Sequence, residues 1–213
     1  MTPAPSGRVL GSAGARRRVV ALLIGAALVA LGCAPPSASD DGSPPAPDGP
    51  TAGQRPAGGV ARVLRKLERE GAAGRIGARA PDFEWVEPDG SIRRLSELEG
   101  RVVIVNFWAT WCVPCRTEMP TFEQLAKTTP DVVFLMIDLQ ETPQAVRDFA
   151  KEHSLTHLRL IIDEDGSVSR AYGLFSLPQT TYVSAGGVIR HVDIGGPLEA
   201  ERIRRGIAKA AAP

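Results

Sequence analysis

The stretch "NFWATWCVPCRTEMP", residues 106–120, joins two different hydrophobic patterns. Upstream, "RVVIVNFWA" (101–109) is a nearly continuous apolar run rich in β-branched residues, the pattern of a strand buried on both faces. Downstream, from Pro114 to about Lys127, Met119, Phe122 and Leu125 recur at helical spacing, whereas Arg116, Thr117 and Lys127 fall elsewhere. This predicts a helix, with Pro120 inside it as a source of a kink. The junction carries Cys112 and Cys115, two of only three cysteines in 213 residues.

Three chemistries suit such a pair. A structural zinc site needs four Cys or His ligands. The third cysteine, Cys33, is remote, and His153, His157 and His191 show no paired spacing, so no metal is expected. A structural clip is a weak reading, because closing two intervening residues removes little chain entropy from the unfolded state. A reactive dithiol fits the placement. Unsatisfied amides and the dipole at a helix start favour an anion, so the Cys112 thiolate is stabilised there. Pro114 suits the first helical turn. On this reading Cys112, more exposed, attacks a partner disulfide, and Cys115, more buried, resolves the mixed disulfide. No cofactor is required.

The ends of the chain say where this chemistry is expected to occur. Arg8 and Arg16 to Arg18 precede the uncharged apolar segment "VVALLIGAALVAL" (19–31), which is too short for a spanning helix and of signal-core length. It leads to "ALGC", ending at Cys33, which resembles the lipobox of bacterial lipoprotein signals, with Ala30 where Leu is more usual. Residues 1–32 are therefore read as a lipoprotein-type signal peptide and Cys33 as the lipidation site. The alternative is an uncleaved anchor with an incidental cysteine, and both place the folded part outside the cytoplasm at a membrane. Without residues 1–32, 21 basic residues stand against 24 acidic, a net of −3. A nucleic-acid partner, which needs a basic face, is not expected. Residues 33–58 are rich in Pro, Ala and Gly and lack apolar periodicity, so they read as a disordered tether.

Val60, Val63, Leu64 and Leu67 recur at helical spacing, predicting a short amphipathic helix or linker over 59–75, ended by Gly71. The domain proper is expected over 76–213. Phe83 to Val86 and Ile92 to Leu95 flank "EPDG" as a hairpin. "VVFLMIDL" reads as the next buried strand and "TPQAVRDFAKEH" as a helix with Thr142 as N-cap. "LRLIID" reads as a short strand, "TTYV" and "VIRHVDI" as a hairpin across "SAGG", and "PLEAERIRRGIAKAAA" as a closing helix. Alternating strands and helices argue a three-layer α/β sandwich around a mixed sheet.

At the cysteine motif the chain resembles the thioredoxin superfamily. More narrowly it resembles the TlpA/ResA branch of membrane-tethered, extracytoplasmic thiol-disulfide oxidoreductases. "IGARAPDFEWVEPDGSIRRLSELEGRVVIV", "YGLFSLPQTTYVSAGGVI" and "IGGPLEAERI" extend the resemblance over about residues 76–211. It implies a thioredoxin-like sandwich with an N-terminal β-hairpin extension and Cys112 and Cys115 as the redox disulfide. It also implies Trp111 as the aromatic beside the nucleophile and Pro178 as a cis-proline against the dithiol. Leu177 would then present backbone groups to an extended partner segment. Glu118, three residues past Cys115, matches a glutamate of this branch that accepts or relays the Cys115 proton; the alternative is a first-turn acid favoured by the helix dipole. Asn106 stands where cytosolic thioredoxins carry a buried Asp, so any relay must run through Glu118 or water.

The expected activity is protein-disulfide reduction. The partners implied are exported proteins with disulfides, such as apocytochrome c or copper-site proteins, a membrane thiol donor, and the membrane itself through a lipid anchor. Two other classes compete. A Cu(I)-binding chaperone would use the dithiolate as a soft ligand pair, although related chaperones carry CxxxC. A thiol peroxidase would need a lone peroxidatic cysteine.

Overall fold

The computed structural model describes residues 59–69 and 71–213. Strands β1 (Ala61–Leu67), β2 (Asp82–Val86) and β3 (Ile92–Arg94) precede a single 3-10 turn, Leu95–Leu98. Then follow β4 (Val102–Trp108), α1 (Val113–Thr128), β5 (Val132–Leu139), α2 (Pro143–Glu152) and β6 (Arg159–Asp163). The chain closes with α3 (Ser167–Ala171), β7 (Gln179–Val183), β8 (Ile189–Ile194) and α4 (Ala200–Ala211). The eight strands form one mixed sheet in the order β3-β2-β1-β6-β5-β4-β7-β8. Strands β1, β6, β5 and β4 run parallel, while β2, β3, β7 and β8 pair antiparallel with their neighbours.

Strand periodicity splits the core into two layers. Ile104 and Trp108 of β4 pack with Met119, Phe122 and Leu125 of α1, Val146 and Phe149 of α2, and Ile203 of α4. Val103, Val105 and Phe107 point to the other face, toward Leu95, Leu98, Val168 and Tyr172. Asn106 therefore shares the α1 face with Ile104 and Trp108, as does Asp138 with Phe134 and Met136 of β5. Gly206 lets α4 lie on the sheet, since a Cβ there would sit 2.3 Å from the Tyr182 ring. Helix α1 runs through the exposed Pro120 without a break in assignment.

The segment 59–75 corrects the sequence reading. Residues 61–67 form a strand, not an amphipathic helix, and the strand lies between β2 and β6 inside the sheet. The folded domain therefore begins ahead of residue 76. The cause is a β-bulge: Val63 pairs with Trp85 and Arg65 with Glu84, leaving Leu64 as the extra residue, half exposed. That insertion breaks the two-residue alternation and places Val63, Leu64 and Leu67 at intervals that imitate a helix. The expected signal peptide (1–32), Cys33 and the tether (33–58) lie outside the described residues. Among the described residues, no helix is long and apolar enough to cross a membrane.

Candidate active site

Strand β4 delivers the cysteine pair to one edge of the sheet. After Trp108 the chain turns through Ala109–Cys112, closed by the Cys112 amide donating to the Ala109 carbonyl at 3.2 Å. Cys112 is the N-cap of α1, and its Sγ accepts from the Cys115 amide at 3.3 Å. Pro114 occupies the first turn, where a missing N–H leaves no helical bond unmade. Cys112 and Cys115 are joined as a disulfide, with Cα atoms 5.3 Å apart. The Cys115 N–H at this helix start points at the sulfur of residue 112, which is where a thiolate would carry its charge.

Cys112 is the more exposed of the two sulfur residues, as expected, but by a small margin. Only 5% of its surface reaches solvent, and Cys115 is fully buried. Cys112 forms part of the core on the α1 face, with Trp108, Met119 and Leu177 in the same cluster. Its access is a groove of about 620 Å³ lined by Trp111, Val113, Pro114, Leu139, Leu174, Phe175, Ser176 and Leu177. Among the described residues, no charged side chain lines it. Trp111, Val113 and Phe175 stand 64%, 72% and 85% exposed, so apolar surface surrounds the disulfide without covering it.

The Leu177–Pro178 peptide is cis, and the Pro178 carbonyl accepts from the Gly195 amide at 2.8 Å. Gln179 braces this segment: its side chain accepts from the Phe175 amide and donates to the Tyr172 carbonyl, each at 3.4 Å. Leu177 lines the groove beside Cys112.

Glu118 lies on α1, 1% exposed, beneath this loop. Its Oε1 accepts from Asn106 Nδ2 at 3.1 Å and its Oε2 from the Leu198 amide at 2.9 Å. Asn106 Nδ2 also donates to Thr180 Oγ1 at 3.0 Å, across the β4–β7 register where the two residues are paired. Burial pushes the Glu118 carboxyl up to about 7; the Leu198 and Asn106 donors oppose the rise and Asp193 adds to it. Gly196 makes room for the carboxylate, since a Cβ there would lie 2.7 Å from Glu118 Oε2 and 2.7 Å from the Pro178 ring. Glu118 is thus a fully enclosed acid that titrates near neutrality, not a solvated first-turn acid.

The structure brings Trp111, Cys112 and Leu177 to the groove, leaves Cys115 fully buried, and sets Glu118 and Pro178 on either side of Gly196. Sequence reasoning missed the contributions of Leu139, Leu174 and Phe175 to the groove, and those of Leu198 and Gly196 to the Glu118 pocket. For Asn106 a signal was present, since a lone amide in a strand buried on both faces requires a partner. A second buried acid also went unnoticed. Asp138, next to last in β5, has no exposed surface, accepts from the Glu141 amide at 3.1 Å, and has no partner for Oδ2 among the described residues. Burial, then the neighbouring Glu141, push it up to about 8. Among the described residues, no group of three or more His, Cys, Asp or Glu side chains is arranged to hold a metal ion.

Comparison with known proteins places this geometry. The family model described as the AhpC/TSA family matches residues 76–192. A thiol-disulfide oxidoreductase ResA from Oceanobacillus iheyensis is 32% identical over 150 residues, covering 68% of this chain and 77% of that protein. A solved thiol:disulfide interchange protein of the thioredoxin family from Chlorobium tepidum superposes with a TM-score of 0.55 at 28% identity, covering 62% of this chain and 94% of that one. The exposed lipoprotein thioredoxin Etrx1 from Streptococcus pneumoniae gives a TM-score of 0.54 at 25% identity, covering 60% and 98%.

Proposed function

The chain belongs to the AhpC/TSA family, has the thioredoxin fold and is a thiol-disulfide oxidoreductase of the ResA type; from that premise we propose that it is tethered outside the cytoplasm and reduces disulfides of exported proteins. The observation that carries the reading is the Cys112–Cys115 disulfide at the start of α1, facing an uncharged groove.

The cycle balances with two thiols. In the reduced protein the Cys112 thiolate attacks one sulfur of a partner disulfide; a Cys112–partner bond forms and the other partner sulfur leaves as a thiolate, which takes up a proton. Cys115 then gives its proton toward Glu118 and attacks the Cys112 sulfur, closing the intramolecular disulfide and releasing the second partner thiol. The partner gains two electrons and two protons, and a membrane thiol donor restores the dithiol. Asn106 does not titrate, and Glu118, three residues past Cys115 on α1, is the group we assign to the Cys115 proton. Trp111, Leu177 and Pro178 are the residues that seat the partner segment.

The tether is supported by the "ALGC" signal ending at Cys33 and by the likeness to a lipoprotein thioredoxin. Resemblance to the TlpA/ResA branch supports apocytochrome c or copper-site proteins as targets during respiratory-complex assembly. Reduction of insulin disulfides by the purified protein tests the activity, and Cys112→Ser is expected to abolish it. In the native host, Cys115→Ser should accumulate mixed disulfides whose partners mass spectrometry identifies. Copper binding without any thiol exchange would overturn the reading.

A further inference from the structure

The turn that carries the attacking sulfur is held from outside. Thr110 is a central residue of the Ala109–Cys112 turn, two positions before Cys112. Both of its donors end on one carboxylate: the Thr110 amide reaches Glu141 Oε2 at 2.5 Å and its hydroxyl reaches Oε1 at 2.6 Å. Nothing in the turn itself supplies these acceptors. They come from the β5–α2 connection, 31 residues away.

The connection is shaped to deliver them. Gln140, immediately before Glu141, adopts φ 62, a left-handed conformation that residues with a Cβ rarely take. Such outliers persist where surrounding structure holds them, and they concentrate at functional sites. Asp138, fully buried, fixes the other side of the bend by accepting the Glu141 amide. Leu139, between these residues, lines the same groove as Trp111 and Cys112.

We propose that Glu141 is a positioning residue for the exchange reaction, clamping Thr110 so that the turn keeps the Cys112 sulfur against the Cys115 N–H at the start of α1 and keeps the Leu139 wall of the groove in register with Trp111. Glu141 does not touch the sulfur. It acts through Thr110, and its effect is on how well the helix start stabilises the thiolate. The sign of the effect separates this role from simple electrostatics. A carboxylate acting only through its charge opposes ionisation of a nearby thiol, so its removal would make Cys112 more reactive at neutral pH. Loss of the clamp makes Cys112 less reactive.

The test is the rate of iodoacetamide alkylation of Cys112 against pH, in the reduced full-length protein and its variants, with peptide mapping to assign the label. Glu141→Ala and Thr110→Val should each slow alkylation near pH 7 by at least about threefold, as expected when a thiolate loses part of its helix-start stabilisation. Thr110→Ser keeps both donors and should react like the unmodified protein. Thr110→Val leaves the Glu141 charge in place, so it decides the matter alone if Glu141→Ala does not fold. Alkylation at the unmodified rate or faster in the folded variants, or Thr110→Ser as slow as Thr110→Val, overturns the proposal. The inference rests on Cys112 as the attacking thiol, yet its readout needs no disulfide substrate. Absence of insulin reduction by the unmodified protein would therefore sink the proposed function and leave the clamp to be judged by alkylation.

Discussion

Asn106 of β4 donates to Glu118 of α1 at 3.1 Å, joining the central strand to the helix that carries both cysteines. The amide holds the carboxyl in place without competing for its proton. With Leu198 on its other oxygen, Glu118 has defined partners on both sides and is almost wholly buried. Glu118→Gln should therefore remove a neutral-range ionisation from the rate of disulfide exchange. In the unmodified protein the resolving step should rise across a window centred near 7, where the carboxyl gains its charge and with it the ability to take a proton. Stopped-flow rates against pH check this, and an unchanged profile in Glu118→Gln would remove Glu118 from the mechanism.

The same burial has a consequence for stability. Glu118 and Asp138 are both raised above their ordinary values, to about 7 and about 8, so the folded oxidised protein holds two protons that the unfolded chain has released. Stability must then fall as pH rises from about 4 through about 8, by up to about 3 kcal/mol for Glu118 alone. Below pH 4 both states hold these protons and neither group contributes to the slope. Urea unfolding of the oxidised protein at pH 5 and pH 8 measures the drop. Asp138→Asn and Glu118→Gln should each flatten it, and their effects should add.

At Gly196 the glycine is required by space. An added Cβ would lie 2.7 Å from both Glu118 Oε2 and the Pro178 ring, and neither is free to move away. Gly196→Ala should destabilise by about 1–3 kcal/mol, the usual range for overpacking a filled site. It should also shift the pH dependence of exchange, because displacing the loop takes the Leu198 amide from Glu118. Denaturation midpoints and rates on the same preparation separate the two effects.

The groove predicts a split between substrates. Trp111 and Phe175 are largely exposed, so alanine at either position should change stability by less than about 0.5 kcal/mol. Each should raise KM for a protein disulfide about tenfold, as loss of an aromatic anchor does at an interface, while kcat changes little. Glutathione disulfide, too small to span the groove, should be reduced at nearly the unmodified rate. Equal losses on both substrates would mean that the aromatics serve the dithiol and not the partner.

The proposed membrane tether rests on Cys33, which lies outside the described residues. Cys33→Ala should abolish incorporation of labelled fatty acid and move the protein from the membrane fraction to the soluble one. Persistence in the membrane fraction would favour the uncleaved anchor.

How far the sequence could be read depended on the range of the interactions involved. The cysteine pair, the buried strand before it and the helix after it were legible because each is written in neighbouring residues: an apolar run, a three-residue recurrence, a proline in the first turn. Pro178 and Glu118 were reached only through resemblance, as nothing local marks a proline and a carboxylate that meet opposite sides of Gly196. Strand β1 was misread because its bulge at Leu64 disguises the alternation. Its strand character comes from two partners, β2 and β6, of which one follows 100 residues later.

By itself the sequence determined the cysteine pair and its place at a helix start, since both follow from spacing within one turn. Tertiary structure alone decided how those atoms are reached and tuned: that Cys112 sits at the bottom of a groove, that Glu118 loses its water to Leu198 and Gly196, and that Thr110 is gripped by Glu141. The physical reason is that burial and ionisation depend on every element packed around a group. At this site those elements arrive from strands and loops that are distant along the chain and adjacent only after the sheet has closed.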